Sequence, residues 1–83
     1  MPTSANDPRS ETFRVYTPQS LGTALRHFRE QSGLSQAQLA EAVGVHRSYL
    51  SDLEQGKETE QVRRILRILR HLGVRMTLEK ADW

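Results

Sequence analysis

Apolar residues recur along this chain at helical spacing four times, and then at the spacing of a strand. Leu21, Ala24, Leu25 and Phe28 stand at i, i+3, i+4 and i+7, the stripe of a helix with one buried face. Thr17-Pro18 supplies its N-cap and first-turn proline, and Gly33 closes it. Leu39, Ala40 and Val43 mark a second helix starting at Gln36, because Ser35 and Gln38 have the spacing of a capping box. Gly44 ends it in a tight turn that Val45 leaves, and Leu50 and Leu53 mark a third helix from about Arg47 to Gln55, stopped by Gly56. Thr59 caps a fourth, whose apolar residues Val62, Ile65, Leu66, Ile68, Leu69 and Leu72 make a stripe wider than a small core requires.

After Gly73, Val74-Arg75-Met76-Thr77-Leu78-Glu79 alternates strictly and reads as a half-buried strand. A lone strand cannot satisfy its backbone. Two partners are available: the alternating segment Phe13–Tyr16 of the same chain, or the same strand of a second copy across a two-fold axis. Residues 1–12 are polar with two prolines and read as a disordered arm, either a solvated leader or a DNA-touching arm through Arg9. The domain is then expected over residues 13–73, with a dimerisation strand and tail over 74–83.

Ser35–Lys57 is therefore helix, glycine turn, helix, the pattern of a DNA-reading helix-turn-helix. Gly33, Leu34, Gln36, Leu39, Ala40, Val43, Gly44, Leu50, Leu53, Glu54 and Gly56 are similar in kind and register to the Xre/Cro-type helix-turn-helix family of phage repressors and bacterial regulators. The resemblance runs from Leu21 to Val74 and implies an all-α, lambda-repressor-like bundle of four to five helices, to which the alternating C-terminal segment, a departure from ordinary relatives, adds a short β-strand used in dimerisation.

The start of the second helix gathers unpaired N–H groups suited to a phosphate, and the resemblance gives Gln36 a side-chain bond to the same phosphate. On the third helix the face opposite Leu50 and Leu53 carries Arg47, Ser48, Ser51, Asp52 and Gln55. The resemblance places Arg47 and Ser48 at base edges, where an arginine–guanine pair discriminates by about 1–3 kcal/mol. Asp52 either accepts from a cytosine amino group or repels the backbone, and Tyr49 either meets phosphate or packs half-buried. His46 takes the N-cap position usual for Ser or Thr, at a cost of about 1 kcal/mol, with its imidazole in reach of phosphate. Lys57 is the basic residue of a loop, Lys57–Glu60, that is otherwise poorer in cations than in relatives. The resemblance also implies a structural ion pair between Arg29 and Glu54.

Tyr16-Thr17-Pro18 and Met76-Thr77-Leu78 resemble the flanks of HipB-type antitoxins. That resemblance implies dimerisation through Val74, Met76 and Leu78, repression of the protein's own operon at a palindromic operator in double-stranded DNA, and binding of a HipA-type serine/threonine kinase toxin. Trp83 then serves as a toxin-binding anchor, or else is a terminus folded on the surface. A stand-alone Xre-family regulator, or a protein-interaction module on the same scaffold, remains the alternative; acidic Asp52 and the acid-containing loop favour the latter.

Composition adds little. Eighty-three residues make one domain, and a core this small favours dimerisation. The formal charge is +2, and the sequence pI of about 9.5 reflects arginines, four of them (Arg63, Arg64, Arg67, Arg70) on the fourth helix, as a solvated face, a surface for an acidic partner, or a phosphate contact. No cysteine is present. His27 reads as a solvated histidine, with no second donor spaced for a metal. No enzyme, metal or cofactor is expected. Neither a membrane span nor a signal peptide is visible, so a cytoplasmic, nucleoid-associated protein is expected.

Overall fold

Two strands far apart in sequence close the molecule: β1 (Thr12–Val15) pairs antiparallel with β2 (Met76–Glu79), Phe13 opposite Leu78 and Val15 opposite Met76. Between them run α1 (Pro18–Gln31), α2 (Gln36–Val43), α3 (Arg47–Glu54) and α4 (Glu60–His71). The computed structural model describes residues 12–57 and 60–81. Arg9, the Thr59 cap and Trp83 lie outside the described residues. Thr12, expected at the end of the arm, is the first residue of β1.

Local chemistry explains the boundaries. Thr17 Oγ1 accepts from the Ser20 N–H, and Ser20 Oγ accepts from the Thr17 N–H, so a capping box starts α1 just before Pro18. Ser35 and Gln38 do the same for α2. Gly44 takes the left-handed conformation (φ 79°), and the N–H groups of Gly44 and Val45 both donate to the Ala40 carbonyl. The last strand starts at Met76 rather than Val74 because the turn closing α4 commits the Val74 N–H to the Leu69 carbonyl at 3.0 Å.

The core lies where α1 and α2 meet α3. Ala24, Ala40 and Leu50 are buried there, and Val15 is the buried residue of β1. Gly22 permits the closest approach: a Cβ on it would strike the Leu53 carbonyl oxygen and stand 2.5 Å from that of Glu54. Gly56, at φ 76°, rests on Gln19, where a Cβ would lie 2.9 Å from the Gln19 Cα.

Three expectations change. Val43 is 60% exposed, at the last residue of α2 before the left-handed turn at Gly44. His27 is half-buried, its ring centroid 4.7 Å from that of Phe13 and 5.2 Å from that of Phe28, so β1 covers it. The broad stripe of α4 divides: Val62, Leu66 and Leu69 turn half-inward, whereas Ile65, Ile68 and Leu72 face outward, Ile68 59% and Leu72 66% exposed. No residue of α4 is buried. Of the two partners available to the last strand, it takes the one in its own chain. Met76 and Leu78 are half-buried and Val74 is exposed.

Candidate nucleic-acid interface

One carboxylate fastens the two helices of the motif to the rest. Glu54, at the end of α3, accepts from Arg29 Nε at 2.6 Å and from Arg29 Nη2 at 3.0 Å, a bidentate pair between α1 and α3. The remaining guanidinium nitrogen, Nη1, donates to the Leu34 carbonyl at 2.8 Å and so fixes the loop entering α2. Gln36, in the first turn of α2, donates through Nε2 to Glu54 Oε1 at 3.0 Å. The side chains of Arg29 and Glu54 are only 10% and 3% exposed. The Arg29 hydrogen bonds hold the Glu54 carboxyl below its ordinary pKa against the opposing effect of burial, with Gln36 adding to the lowering. The same pairing raises Arg29. Every buried side-chain nitrogen and oxygen of the described residues has a partner.

The ion pair implied for Arg29 and Glu54 is thus present, and it has a third member that the sequence did not reveal. Gln36 turns its amide inward to Glu54, while the first turn of α2 stays at the surface with its leading N–H groups. Its second amide hydrogen and its carbonyl oxygen are not used by that bond.

The α3 face carries the other candidates. Arg47, Ser48, Asp52 and Gln55 are exposed, and Ser51 is half-buried. Gln55 Nε2 donates to Ser51 Oγ at 3.0 Å, so these two support each other. His46 is the N-cap residue and makes no side-chain capping bond. Tyr49 stands exposed beside it. Lys57 is exposed where the backbone turns out of α3, its N–H bonded to the Asp52 carbonyl at 2.8 Å. Arg47, Asp52 and Lys57 have no ion-pair partner among the described residues. These side chains form one polar edge along α3, flanked by the start of α2.

Gly22 was missed in the sequence, although a signal existed. A glycine inside a helical stripe costs about 1 kcal/mol relative to alanine, which asks for a packing reason. Here that reason is the C-terminal end of α3. No three His, Asp or Glu residues among those described lie together as metal ligands would, and no helix is long and apolar enough to cross a membrane.

The helix-turn-helix domain family matches residues 20–82. An uncharacterised HTH-type transcriptional regulator of Sinorhizobium fredii (strain NBRC 101917 / NGR234), y4mF, is 38% identical over 60 residues, covering 72% of this chain and 79% of that protein. The antitoxin HipB of Escherichia coli (strain K12) is 29% identical over 65 residues, covering 78% and 74%. Among solved structures, a complex of HipB with an O4 20mer superposes with a TM-score of 0.51 at 30% identity, covering 82% of this chain and 96% of that one.

Proposed function

The chain belongs to the helix-turn-helix domain family, and from that premise we propose that it is a sequence-specific DNA-binding transcriptional repressor of the HipB antitoxin type. In this reading it binds a palindromic operator as a homodimer, represses its own operon in the cytoplasm, and neutralises a HipA-type serine/threonine kinase.

One observation carries the DNA reading: the polar edge of α3 is exposed, while the helix behind it is clamped by the buried Arg29–Glu54–Gln36 network. A rigid helix with a free polar edge is what a major groove admits. The HipB relative is solved in complex with an O4 20mer. Arg47 and Ser48 reach base edges, Ser51, Asp52 and Gln55 continue the reading edge, and His46 and Lys57 meet phosphates. The backbone N–H groups that open α2 hold a phosphate, and Gln36 contributes its spare amide hydrogen without leaving Glu54.

The homodimer reading gains support from α4, whose outward apolar residues Ile65, Ile68 and Leu72, continued by Val74, have no cover among the described residues. That surface suits a second copy, as does the edge of β2 (Met76, Leu78) that β1 does not pair. Two recognition helices then meet successive major grooves about 34 Å apart.

The test is fluorescence anisotropy on a duplex from the chain's own promoter, titrated with salt. Affinity is expected to fall steeply as salt rises. Arg47→Ala is expected to lose about 1–3 kcal/mol on the preferred sequence and to relax discrimination at one base pair. Equal affinity for promoter and random duplex would sink the reading. Co-purification with the kinase, with and without Trp83, tests the antitoxin half.

A further inference from the structure

Four arginines surround an apolar groove on the side of α4 away from Ile65, Ile68 and Leu72. Two hollows of about 350 and 410 Å³ share Tyr16, Leu66 and Arg70 and so form one trough between α4 and the corner leading from β1 into α1. Its floor is Tyr16, Pro18, Leu66 and Leu69. Its rim is Arg63, Arg67 and Arg70 of α4 with Arg75 ahead of β2, and no acidic residue lines it. Arg64, by contrast, lies off the trough and is paired with Glu60 at 3.1 Å. The four rim guanidinium groups have no carboxylate partner among the described residues. The formal charge of the whole chain is +2, so this one trough concentrates more cationic charge than the molecule carries net.

We infer that the trough is a docking site for an acidic amphipathic helix of a partner protein, its apolar side on Tyr16 and Leu66 and its carboxylates against Arg63, Arg67, Arg70 and Arg75. Charge complementarity decides the occupant. Guanidinium groups gathered around an apolar floor repel one another, and carboxylates relieve that repulsion with bidentate bonds while the floor takes aliphatic side chains. A second copy of this chain would bring arginines to arginines. The apolar floor, not position, decides against DNA: Gln19 lines the trough and also meets Gly56 beside Lys57, but a phosphate backbone would leave Tyr16, Leu66 and Leu69 uncovered where aliphatic side chains of a helix would cover them. Ile65, Ile68 and Leu72 line no part of the trough, and the two surfaces meet at Arg67 and Val74. The inference goes beyond the DNA reading and does not require it.

The experiment uses the full chain and a fluorescein-labelled peptide of about 14 residues with leucines on one helical face and glutamates on the other. A scrambled peptide of the same composition lacks the apolar face. At physiological salt the amphipathic peptide is expected to bind about tenfold or more tightly than the scrambled one. The exposed-site variants Arg67→Glu/Arg70→Glu and Tyr16→Ala are each expected to weaken it by about tenfold. Their circular-dichroism melting should match the parent, and Tyr16→Ala, which changes no charge, should also keep the parent's affinity for the promoter duplex. Equal binding of the two peptides would reduce the trough to counterion attraction and overturn the proposal, as would peptide binding that survives charge reversal. Displacement of the peptide by the promoter duplex, with reversal weakening both, would assign the arginines to DNA and also overturn it. Peptide binding without any duplex binding would leave this proposal standing and remove the repressor reading instead.

Discussion

Replacing Arg29 by alanine tests the clamp that holds the reading helix. The variant leaves a carboxylate that is 3% exposed with Gln36 as its remaining side-chain donor. Removing one partner of such a pair costs about 3–5 kcal/mol, because the other charge stays buried without compensation. A chain of 83 residues has a total stability of about 4–12 kcal/mol, so a large part of it is at stake. At about 4–8 °C per kcal/mol for a domain of this size, melting followed by circular dichroism should fall by about 12 °C or more at pH 7. The pH dependence supplies a second readout. Glu54 has a lowered pKa in the folded protein, so its stabilising contribution is present above the unfolded carboxyl value of about 4.3 and is lost as pH falls through the folded value. In Arg29→Ala the cationic donors are gone and burial pushes the same carboxyl upward, so acidification stabilises that variant relative to neutral pH. The gap between the two proteins should therefore narrow from pH 7 to pH 4. Arg29→Ala/Glu54→Leu, which removes both charges, should recover most of the loss. A melting drop under about 4 °C, or a gap indifferent to pH, would mean that solvent screens the pair and that the clamp is not what positions α3.

Two other outcomes follow from close approach and exposure. Helix propensity alone favours Gly22→Ala by about 1 kcal/mol, but the added Cβ meets the backbone carbonyls of Leu53 and Glu54, which a rotamer change cannot relieve. A net loss of about 1–2 kcal/mol is expected in urea unfolding, and a stabilised variant would show that α1 and α3 do not approach so closely. Ile68→Glu/Leu72→Glu places charges on outward residues and should leave the helical spectrum intact while converting a sedimenting dimer to monomer and weakening palindromic duplex binding by about tenfold or more. An unchanged dimer would place the two-fold contact elsewhere.

Much of this was legible in the residues, and the division has a physical basis. The start of α2 is written in Ser35 and Gln38, and its end in Gly44, because capping boxes and left-handed turns are local devices. Periodicity located the apolar side of α4 but not its cover: Leu66 turns inward and Ile68 outward on the same stripe, and only three-dimensional neighbours separate them. The pairing of β2 with Thr12–Val15 was one of two alternatives for the same reason, since an alternating strand fits any partner of matching pattern. The Arg29–Glu54 pair came from family resemblance, because residues far apart in sequence carry no spacing rule that joins them. Gln36 fitted both an outward phosphate contact and the inward bond it makes, and a flexible polar side chain at a helix start leaves either direction open. Nothing local marks His27 as covered, because its cover, Phe13, arrives from the other side of a turn.

The antiparallel ribbon makes a ring of an otherwise linear run of helices. Its two members meet only after nearly the whole described chain has been looped back, a closure that costs about 4 kcal/mol of chain entropy. The helical hairpins need no such reach, so the ribbon should be the last part to lock during folding and the first to unzip under load. Fraying on one side strips hydrogen bonds from the other, and trimming Thr12–Val15 would loosen Met76–Glu79 as surely as removing that strand itself.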